Sequence, residues 1–298
     1  MEMSNTHQII TALVTPFNQD GSINYDELEQ LTNHLIQHGS DGFVIGGTTG
    51  EGPNLSHDEK INLFSKFVEI VDGRAKIIAG TGTNSTSDTV NFTKEVAQIN
   101  GIDAGLVVVP YYNKPDQAGM VAHFTAVAEA SDLPLIIYNI PGRTGVTMAN
   151  ETIVKLAHQQ GIIGVKQCTN LDDLSYLVDH TQDLDFDVYT GEDGQLLSGA
   201  KVGVKGVISV ASHLFGDQMQ TVTDLFDQGD IKSAAELQDQ LTPKMTALFS
   251  HPSPAPVKDA LNRSGFEVGE PKLPILKLNS QQSDELHEIL AQGVSDND

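Results

Sequence analysis

Short apolar runs rich in β-branched residues alternate along this chain with longer amphipathic segments. Eight such runs follow one another at intervals of about 20 to 34 residues. They cover residues 9–14, 42–45, 76–79, 104–109, 135–138, 162–166, 187–190 and 206–210. Runs of this length and composition predict buried β-strands. The amphipathic segments between them, such as residues 26–37 and 57–71, predict helices.

The alternation of strands and helices predicts a parallel sheet, and the number of units predicts how that sheet closes. Eight strand–helix units are the number found in a (β/α)8 barrel. A doubly wound open sheet is the structural alternative, although it usually has fewer strands. Ser56 and Glu59 have the spacing of a capping box, and several predicted helices end at a glycine. These glycines are Gly39, Gly73, Gly101 and Gly161.

The strand signals stop after residue 230, and the rest of the chain has a different pattern. Residues 231–249, 255–264 and 283–292 each predict a helix, and prolines interrupt the chain between the first two of these segments. We therefore predict an α/β protein with a (β/α)8 TIM barrel, the catalytic part, over residues 1–230. A C-terminal three-helix extension follows over residues 231–298.

Charge and composition narrow the possible partners. The 298 residues include 17 basic and 40 acidic ones, so the formal net charge is −23. So acidic a surface repels phosphate backbones and anionic lipid heads, and we expect neither a nucleic acid nor a membrane as partner. Residues 1–8 lack a signal-peptide pattern, and no apolar run is long enough to cross a bilayer. The single cysteine, Cys168, fits a reducing compartment. These features favour a cytoplasmic protein.

Active groups of such barrels lie at the carboxyl ends of the strands, where this chain has Lys166 and Tyr138. Burial at the end of the sixth run should lower the pKa of Lys166 and free its amine to attack a carbonyl. The alternative is a lysine that extends from the barrel mouth into solvent. Tyr138 ends the neighbouring fifth run, where its phenol can reach the same substrate and move protons. The alternative is a core aromatic residue with a solvated hydroxyl group.

Other polar residues follow the strands at the same end of the predicted barrel. Thr48 and Thr49 lie in a Gly-Gly-Thr-Thr-Gly turn whose N–H groups suit a small carboxylate, although a tight turn without a ligand is an equal alternative. Thr49 and Tyr112 are candidates for a hydroxyl relay with Tyr138. Arg143 is one of three arginines, and in so acidic a chain it favours bidentate carboxylate binding over a surface ion pair. The ten histidines are scattered, and we predict no metal site.

Five sequence segments carry a family resemblance that extends over nearly the whole chain. They read TALVTPF (11–17), GTTGE (47–51), YYNKP (111–115), YNIPGRTG (138–145) and GVISV (206–210). In this order they resemble the dihydrodipicolinate synthase / N-acetylneuraminate lyase family. The resemblance implies a (β/α)8 barrel with a helical extension, in which Lys166 forms a Schiff base with pyruvate or another 2-keto acid. It implies no metal and no organic cofactor, because the protonated imine is itself an electron sink.

Within that family, YYNKP and YNIPGRTG are similar to the motifs of enzymes that condense pyruvate with L-aspartate-4-semialdehyde. Their product is 4-hydroxy-tetrahydrodipicolinate, at the entry to the diaminopimelate route of lysine biosynthesis. Two alternatives remain open. One is a 2-keto acid aldolase similar to N-acetylneuraminate lyase, and the other is a binding or regulatory barrel without turnover.

The resemblance also implies roles for individual residues. Thr49, Tyr138 and Tyr112 would form a proton relay, with Tyr112 supplied by a neighbouring subunit of a homotetramer built from two dimers. Arg143 would hold the carboxylate of aspartate semialdehyde. Further substrate contacts are expected from Thr48, Thr49, Gly191 and Ile208.

Many relatives bind lysine as a feedback inhibitor at a dimer interface, and the matching positions here differ in part. They are Gly52, Pro53, His57, Lys60, Asn84, Asp88 and Tyr111. Lysine-sensitive relatives commonly have a histidine in place of Lys60 and a glutamate in place of Asp88, so we expect a vestigial site and weak inhibition by lysine. Gln167 and Asn170 also depart from the KEATG or KDASG segment common in relatives, and we expect them to tune activity rather than abolish it.

Overall fold

The computed structural model describes residues 7–292, and its centre is a closed barrel of eight strands. Each strand pairs in parallel with the next, and the last pairs with the first. The strands are β1 (Gln8–Ala12), β2 (Gly42–Ile45), β3 (Lys76–Gly80), β4 (Ala104–Val108), β5 (Leu135–Asn139), β6 (Ile162–Gln167), β7 (Asp187–Thr190) and β8 (Gly206–Ser209). The eight predicted strands and the barrel are therefore confirmed. What the sequence predicts for residues 1–6 and 293–298 lies outside the described residues.

Helices connect the strands, and three more follow the barrel. The connecting helices are α1 (Tyr25–Gln37), α2 (His57–Val71), α3 (Thr86–Val96), α4 (Gln117–Ala128), α5 (Pro141–Thr144), α6 (Asn150–Ala157), α7 (Leu171–Thr181), α8 (Leu196–Val202) and α9 (Ser212–Asp227). The extension consists of α10 (Ile231–Ala247), α11 (Ala255–Arg263) and α12 (Ser280–Leu290), which confirms its three predicted helices. Between residues 7 and 292, no helix is both long enough and apolar enough to cross a membrane.

Local capping chemistry accounts for the helix ends. The predicted capping box at the start of α2 is present, with Glu59 N donating to Ser56 Oγ and Ser56 N donating to the Glu59 carboxylate. A second capping box, between Asn279 and Gln282, starts α12 three residues before the predicted residue 283. The four glycines predicted to end helices all have a positive φ, between 70° and 101°, which glycine adopts without a steric penalty.

The extension packs into the same hydrophobic core as the barrel. One cluster of buried side chains contains Ile9 and Phe43 from the strands together with Val257 and Leu261 from α11 and Leu286 from α12. The extension therefore covers one side of the barrel and shares its core, rather than forming a core of its own.

A buried ion pair also joins the extension to the turn that follows β2. Glu51, in the GTTGE segment, and Lys258, on α11, are each 1% exposed, and Lys258 Nζ lies 2.8 Å from Glu51 Oε1. Lys272 N donates to the other carboxylate oxygen of Glu51 at 2.6 Å. Because Thr48 and Thr49 lie three and two residues before Glu51 in this turn, the extension holds in place the segment that carries two of the candidate site residues.

Candidate active site

The candidate active site lies at the carboxyl ends of the strands, where β5 and β6 place Tyr138 and Lys166 side by side. These two residues are register partners in the parallel β5–β6 pair. Both are 7% exposed, and Lys166 Nζ lies 4.6 Å from the centroid of the Tyr138 ring. The lysine is therefore buried inside the barrel mouth and does not extend into solvent.

The pKa of the Lys166 ammonium lies above its usual value, so the predicted direction of this shift is wrong. Burial is the largest single influence and lowers the pKa, but the nearby acidic groups together outweigh it. These groups are Tyr138, Cys168, Asp193 and Glu192. The prediction considered the apolar strand alone and left out the acidic side chains that follow β7. Lys166 is consequently protonated before substrate binds, and it must lose a proton before its amine can attack.

Asp193 and Glu192 are acidic residues that lie close to Lys166, and no role was predicted for them. Asp193 is 5% exposed, lies in a short 3₁₀ helix (Asp193–Gln195), and accepts hydrogen bonds from Val210 N and Ala211 N. Burial raises the pKa of both carboxyl groups. The acid–acid dipeptide one residue after the end of β7 was the signal that could have identified them.

Thr48, the neighbour of the predicted relay residue Thr49, hydrogen-bonds with the Tyr138 phenol. Burial raises the pKa of Tyr138, and this hydrogen bond and the Lys166 charge oppose that effect. The phenol is therefore neutral at physiological pH. Thr49 is also buried and lines the small recess between Tyr138 and Lys166.

A cavity of about 440 Å³, called here the active-site cavity, brings the other candidate residues together. Two residues of the C-terminal extension that were not predicted, Phe249 and Ser253, also line it. The candidate residues that line it are Thr48, Thr49, Tyr138, Arg143, Lys166, Gly191 and Ile208. The cavity is large enough for two small substrates next to the Lys166 amine.

Gly191 lies so close to Lys166 that only glycine fits there. A Cβ atom at this position would come within 2.1 Å of Cys168 Sγ and 2.8 Å of Lys166 Cε. Gly191 N also donates to Gln167 O at 3.0 Å, which joins the end of β7 to β6. The small residue therefore leaves room for the lysine side chain inside the barrel.

Two side-chain amides tie β5 to β6 next to the candidate pair. Asn139 Nδ2 donates to Gln167 Oε1 at 2.9 Å and to Met148 O at 3.0 Å. A glutamate in place of Gln167, as in the segment of many relatives, would keep the oxygen that accepts this hydrogen bond. Asn170 caps α7, since its side chain accepts from Asp173 N at 2.9 Å. Both departures therefore preserve local structure around Lys166.

Arg143, on the four-residue helix α5, is exposed at the rim of the active-site cavity. Within residues 7–292, no carboxylate lies within 4.0 Å of its guanidinium group, so the surface ion pair considered above is not formed. An arginine without a protein counterion at the cavity rim suits a substrate carboxylate.

Tyr112 does not join the other candidate relay residues within one chain. Its side chain is 87% exposed, its φ is +71°, and it lines neither the active-site cavity nor the recess beside Lys166. Tyr111, the preceding residue, is 38% exposed. A large aromatic side chain held this far into solvent is typical of an interface residue.

The seven residues matched to the lysine site of relatives lie around one end of the barrel but do not form a single pocket. Gly52, Pro53, Lys60 and Tyr111 line a second cavity. His57 is paired with Glu95 at 2.9 Å, Asn84 O accepts from Asn113 Nδ2, and Asp88 lies in the first turn of α3. In the part of the chain that the structure describes, no cluster of His, Cys, Asp and Glu is arranged to hold a metal ion.

Comparison with known proteins gives one consistent family. A sequence model of the Dihydrodipicolinate synthetase family matches residues 5–293. The chain is 58% identical to a 4-hydroxy-tetrahydrodipicolinate synthase of Limosilactobacillus reuteri, across 98% of this chain and 94% of that protein. It is 56% identical to the enzyme of the same name from Pediococcus pentosaceus, across 92% of this chain and 91% of that protein.

Solved structures agree with the sequence comparison. A dihydrodipicolinate synthase of Bacillus anthracis superposes with a TM-score of 0.94 at 40% identity, and the match covers 97% of this chain and 99% of that chain. The enzyme of Cyanidioschyzon merolae with lysine bound superposes with a TM-score of 0.92 at 38% identity, covering 96% and 97% of the two chains. Because the family model matches nearly its whole length, this chain belongs to the dihydrodipicolinate synthetase family.

Proposed function

We propose that this chain is the enzyme that condenses pyruvate with L-aspartate-4-semialdehyde to 4-hydroxy-tetrahydrodipicolinate, in the diaminopimelate route of lysine biosynthesis. The observation that carries the proposal is a buried lysine, Lys166, beside Tyr138 in a cavity whose rim holds Arg143, which forms no ion pair within 4.0 Å among residues 7–292. The shared name of the relatives supports the same reaction. The single cysteine, Cys168, is unpaired, and we place the enzyme in the cytoplasm.

The reaction proceeds through an imine. The neutral amine of Lys166 attacks C2 of pyruvate, and loss of water gives a protonated imine. Loss of a proton from the methyl carbon then gives an enamine, whose carbon attacks the aldehyde of aspartate semialdehyde. The amino group of that substrate finally attacks the imine carbon, closes the ring and releases Lys166.

We assign proton transfer to Tyr138 together with Thr48, which hydrogen-bonds with its phenol. A neutral phenol beside the amine can donate a proton to the leaving water and accept one in later steps. Tyr112 would complete this relay from a second subunit. Thr49, Gly191 and Ile208 line the cavity around the Lys166 amine, where the pyruvate carboxylate and methyl group have to fit.

Product formation with different substrates tests the proposed function. The full chain is incubated with pyruvate and, separately, with L-aspartate-4-semialdehyde, N-acetylmannosamine or another aldehyde. We expect cyclised product with aspartate semialdehyde and at most traces with the others. Preferential turnover of N-acetylmannosamine would identify a 2-keto acid aldolase instead, and absence of turnover with every aldehyde would indicate a binding barrel.

Replacement of Arg143 by alanine should impair use of aspartate semialdehyde far more than use of pyruvate. A lost charged hydrogen bond costs about 1.5–3 kcal/mol, which corresponds to a rise in KM of roughly 10- to 150-fold. Steady-state kinetics with each substrate varied in turn measure the two effects. Arg263→Ala is the matched control, since that arginine is paired with Asp284 on the surface of the extension. Equal losses for both substrates would show that Arg143 does not bind the semialdehyde.

We also propose that the enzyme is a homotetramer of two dimers and that Tyr112 acts across the dimer interface. Its 87% exposure in the single chain supports this proposal. Inactive Tyr112→Phe and Lys166→Ala chains are mixed under conditions of subunit exchange. One wild-type site forms in each mixed dimer, so activity should return to a fraction of the wild-type value. No recovery in verified mixed dimers would contradict a shared site.

Lysine should inhibit this enzyme weakly, because Lys60 puts a positive charge where a cationic ligand would have to bind. Two like charges about 4 Å apart repel by roughly 4 kcal/mol near a protein surface. Initial rates are measured while lysine is titrated through the millimolar range. A dissociation constant of 1 mM corresponds to a binding free energy of about −4.1 kcal/mol. Half-inhibition at lysine concentrations well below 1 mM would show that Lys60 does not exclude lysine.

A further inference from the structure

The loop that carries Arg143 joins the end of β5 to the start of α6 and is called here the α5 loop (residues 140–149). Its first part is helical, since α5 covers Pro141–Thr144. Residues 145–149 belong to no helix or strand, so their backbone groups need partners from elsewhere. Those partners bear on where Arg143 is held at the rim of the active-site cavity.

The side chain of Asn139 pairs with one residue of the α5 loop as a neighbouring strand would. Met148 N donates to Asn139 Oδ1 at 3.1 Å, and Asn139 Nδ2 donates to Met148 O at 3.0 Å. The same Nδ2 also donates to Gln167 Oε1 at 2.9 Å, so the oxygen and the nitrogen of the amide both have protein partners. Asn139 is 0% exposed, and a lost partner could not be replaced by bulk water.

A second side-chain amide, from Gln117 at the start of α4, binds the residues on either side of Met148. Gln117 Nε2 donates to Thr147 O at 2.9 Å, and Ala149 N donates to Gln117 Oε1 at 3.0 Å. Asn139 and Gln117, called here the anchoring amides, therefore hold four consecutive backbone groups of the α5 loop.

A short connection links these anchored residues to α5. Gly145 and Val146 alone lie between the end of α5 and residues 147–149. Thr144 Oγ1 donates to Val146 O at 2.8 Å, which ties the end of α5 to this connection. The guanidinium group of Arg143 forms no ion pair within 4.0 Å in the described part of the chain. Its position therefore depends on the backbone of the loop and not on a charged neighbour.

We propose that the anchoring amides position Arg143 for the carboxylate of the aldehyde substrate. The proposal rests on the proposed function, in which Arg143 binds L-aspartate-4-semialdehyde. Neither Asn139 nor Gln117 lines the active-site cavity, so each acts on the substrate through the loop and not by contact. They are therefore positioning residues, and they come from two different elements, β5 and α4.

Steady-state kinetics of Asn139→Ala and Gln117→Ala, with each substrate varied in turn, test this role. Asn139→Ala leaves Met148 N and Met148 O without the partners that they have in the unaltered chain. We expect the KM for aspartate semialdehyde to rise about tenfold or more, since a misplacement of about 1 Å can cost roughly 100-fold. Gln117→Ala should raise it about two- to tenfold. The KM for pyruvate should stay within about twofold in both variants.

The exposed position of Gln117 keeps the test decisive even if the buried change at Asn139 prevents folding. Gln281→Ala is the matched control, because Gln281 is an exposed glutamine on α12 whose amide donates to Glu285. The control variant should keep both KM values of the unaltered chain.

Combination with Arg143→Ala shows whether the anchoring amides act through Arg143. If they do, adding Gln117→Ala or Asn139→Ala to Arg143→Ala should leave the KM for aspartate semialdehyde unchanged, because no guanidinium group remains to be misplaced. Equal rises for both substrates, a KM for Gln117→Ala equal to that of the control, or the full rise in the Arg143→Ala background would overturn the proposal. Failure of the unaltered chain to use aspartate semialdehyde would instead contradict the proposed function, and with it this role.

Discussion

Replacing Lys166 with alanine is expected to lower turnover by about 10⁴- to 10⁶-fold, the range typical of a lost nucleophile. The alanine side chain cannot form the imine, and no other lysine lines the active-site cavity among residues 7–292. The loss should appear in kcat, because every later step proceeds on the imine. Stopped and continuous assays with saturating pyruvate and aspartate semialdehyde measure it.

Two controls make this result specific. Lys201→Ala, at an exposed position on α8, should keep turnover within about twofold of the unaltered chain. The melting temperature of Lys166→Ala should fall, because Glu192 and Asp193 lose the positive charge beside them, so turnover is compared at a temperature at which circular dichroism shows the variant folded. Residual activity above one hundredth, in a sample free of unaltered enzyme, would contradict the assignment of Lys166.

Replacing Lys258 with methionine is expected to destabilise the fold by about 3–5 kcal/mol, the usual cost of removing one partner of a buried ion pair. Glu51 would be left with a buried charge, 1% exposed, and among residues 7–292 the close donor that remains to it is Lys272 N. For a protein of this size the melting temperature should fall by roughly 6–15 °C. Thermal unfolding followed by circular dichroism measures the shift.

The same substitution should also reduce kcat, because Glu51 fixes the turn that carries Thr48 and Thr49. Adding Glu51→Gln to Lys258→Met removes the unpaired charge, so the double variant should regain part of the lost stability. Lys232→Met is the matched control within the extension, since Lys232 is 86% exposed and its pair with Glu236 contributes little. A melting temperature for Lys258→Met equal to that of Lys232→Met would show that the buried pair does not hold the extension to the barrel.

The barrel could be predicted from the sequence because each strand is a short apolar run buried on both faces. The runs 42–45 and 187–190 coincide with β2 and β7, and the other strands differ by one or two residues at their ends. Short elements were missed, namely helix α5 and the 3₁₀ turns at Gly52–Asn54 and Asp193–Gln195. A segment of three or four residues is too short to show a helical period.

The electrostatics of the site could not be predicted, because they depend on residues brought together from distant parts of the chain. The apolar strand before Lys166 indicated a lowered pKa, whereas Glu192 and Asp193, from the loop after β7, contribute to raising it. The pairing of Glu51 with Lys258 joins residues far apart in the sequence and has no local signal. The hydrogen bond of Thr48 with Tyr138 depends on side-chain direction within one turn, which residue type alone does not reveal.

Trapping of the imine tests the central claim most directly. The full chain is incubated with isotopically labelled pyruvate and reduced with borohydride, and its peptides are mapped by mass spectrometry. Imine formation predicts one reduced pyruvate adduct per chain, located on Lys166 and absent when pyruvate is omitted or Lys166 is replaced by alanine. An adduct on any other lysine, or no adduct in an enzyme that turns over under the same conditions, would contradict the assignment.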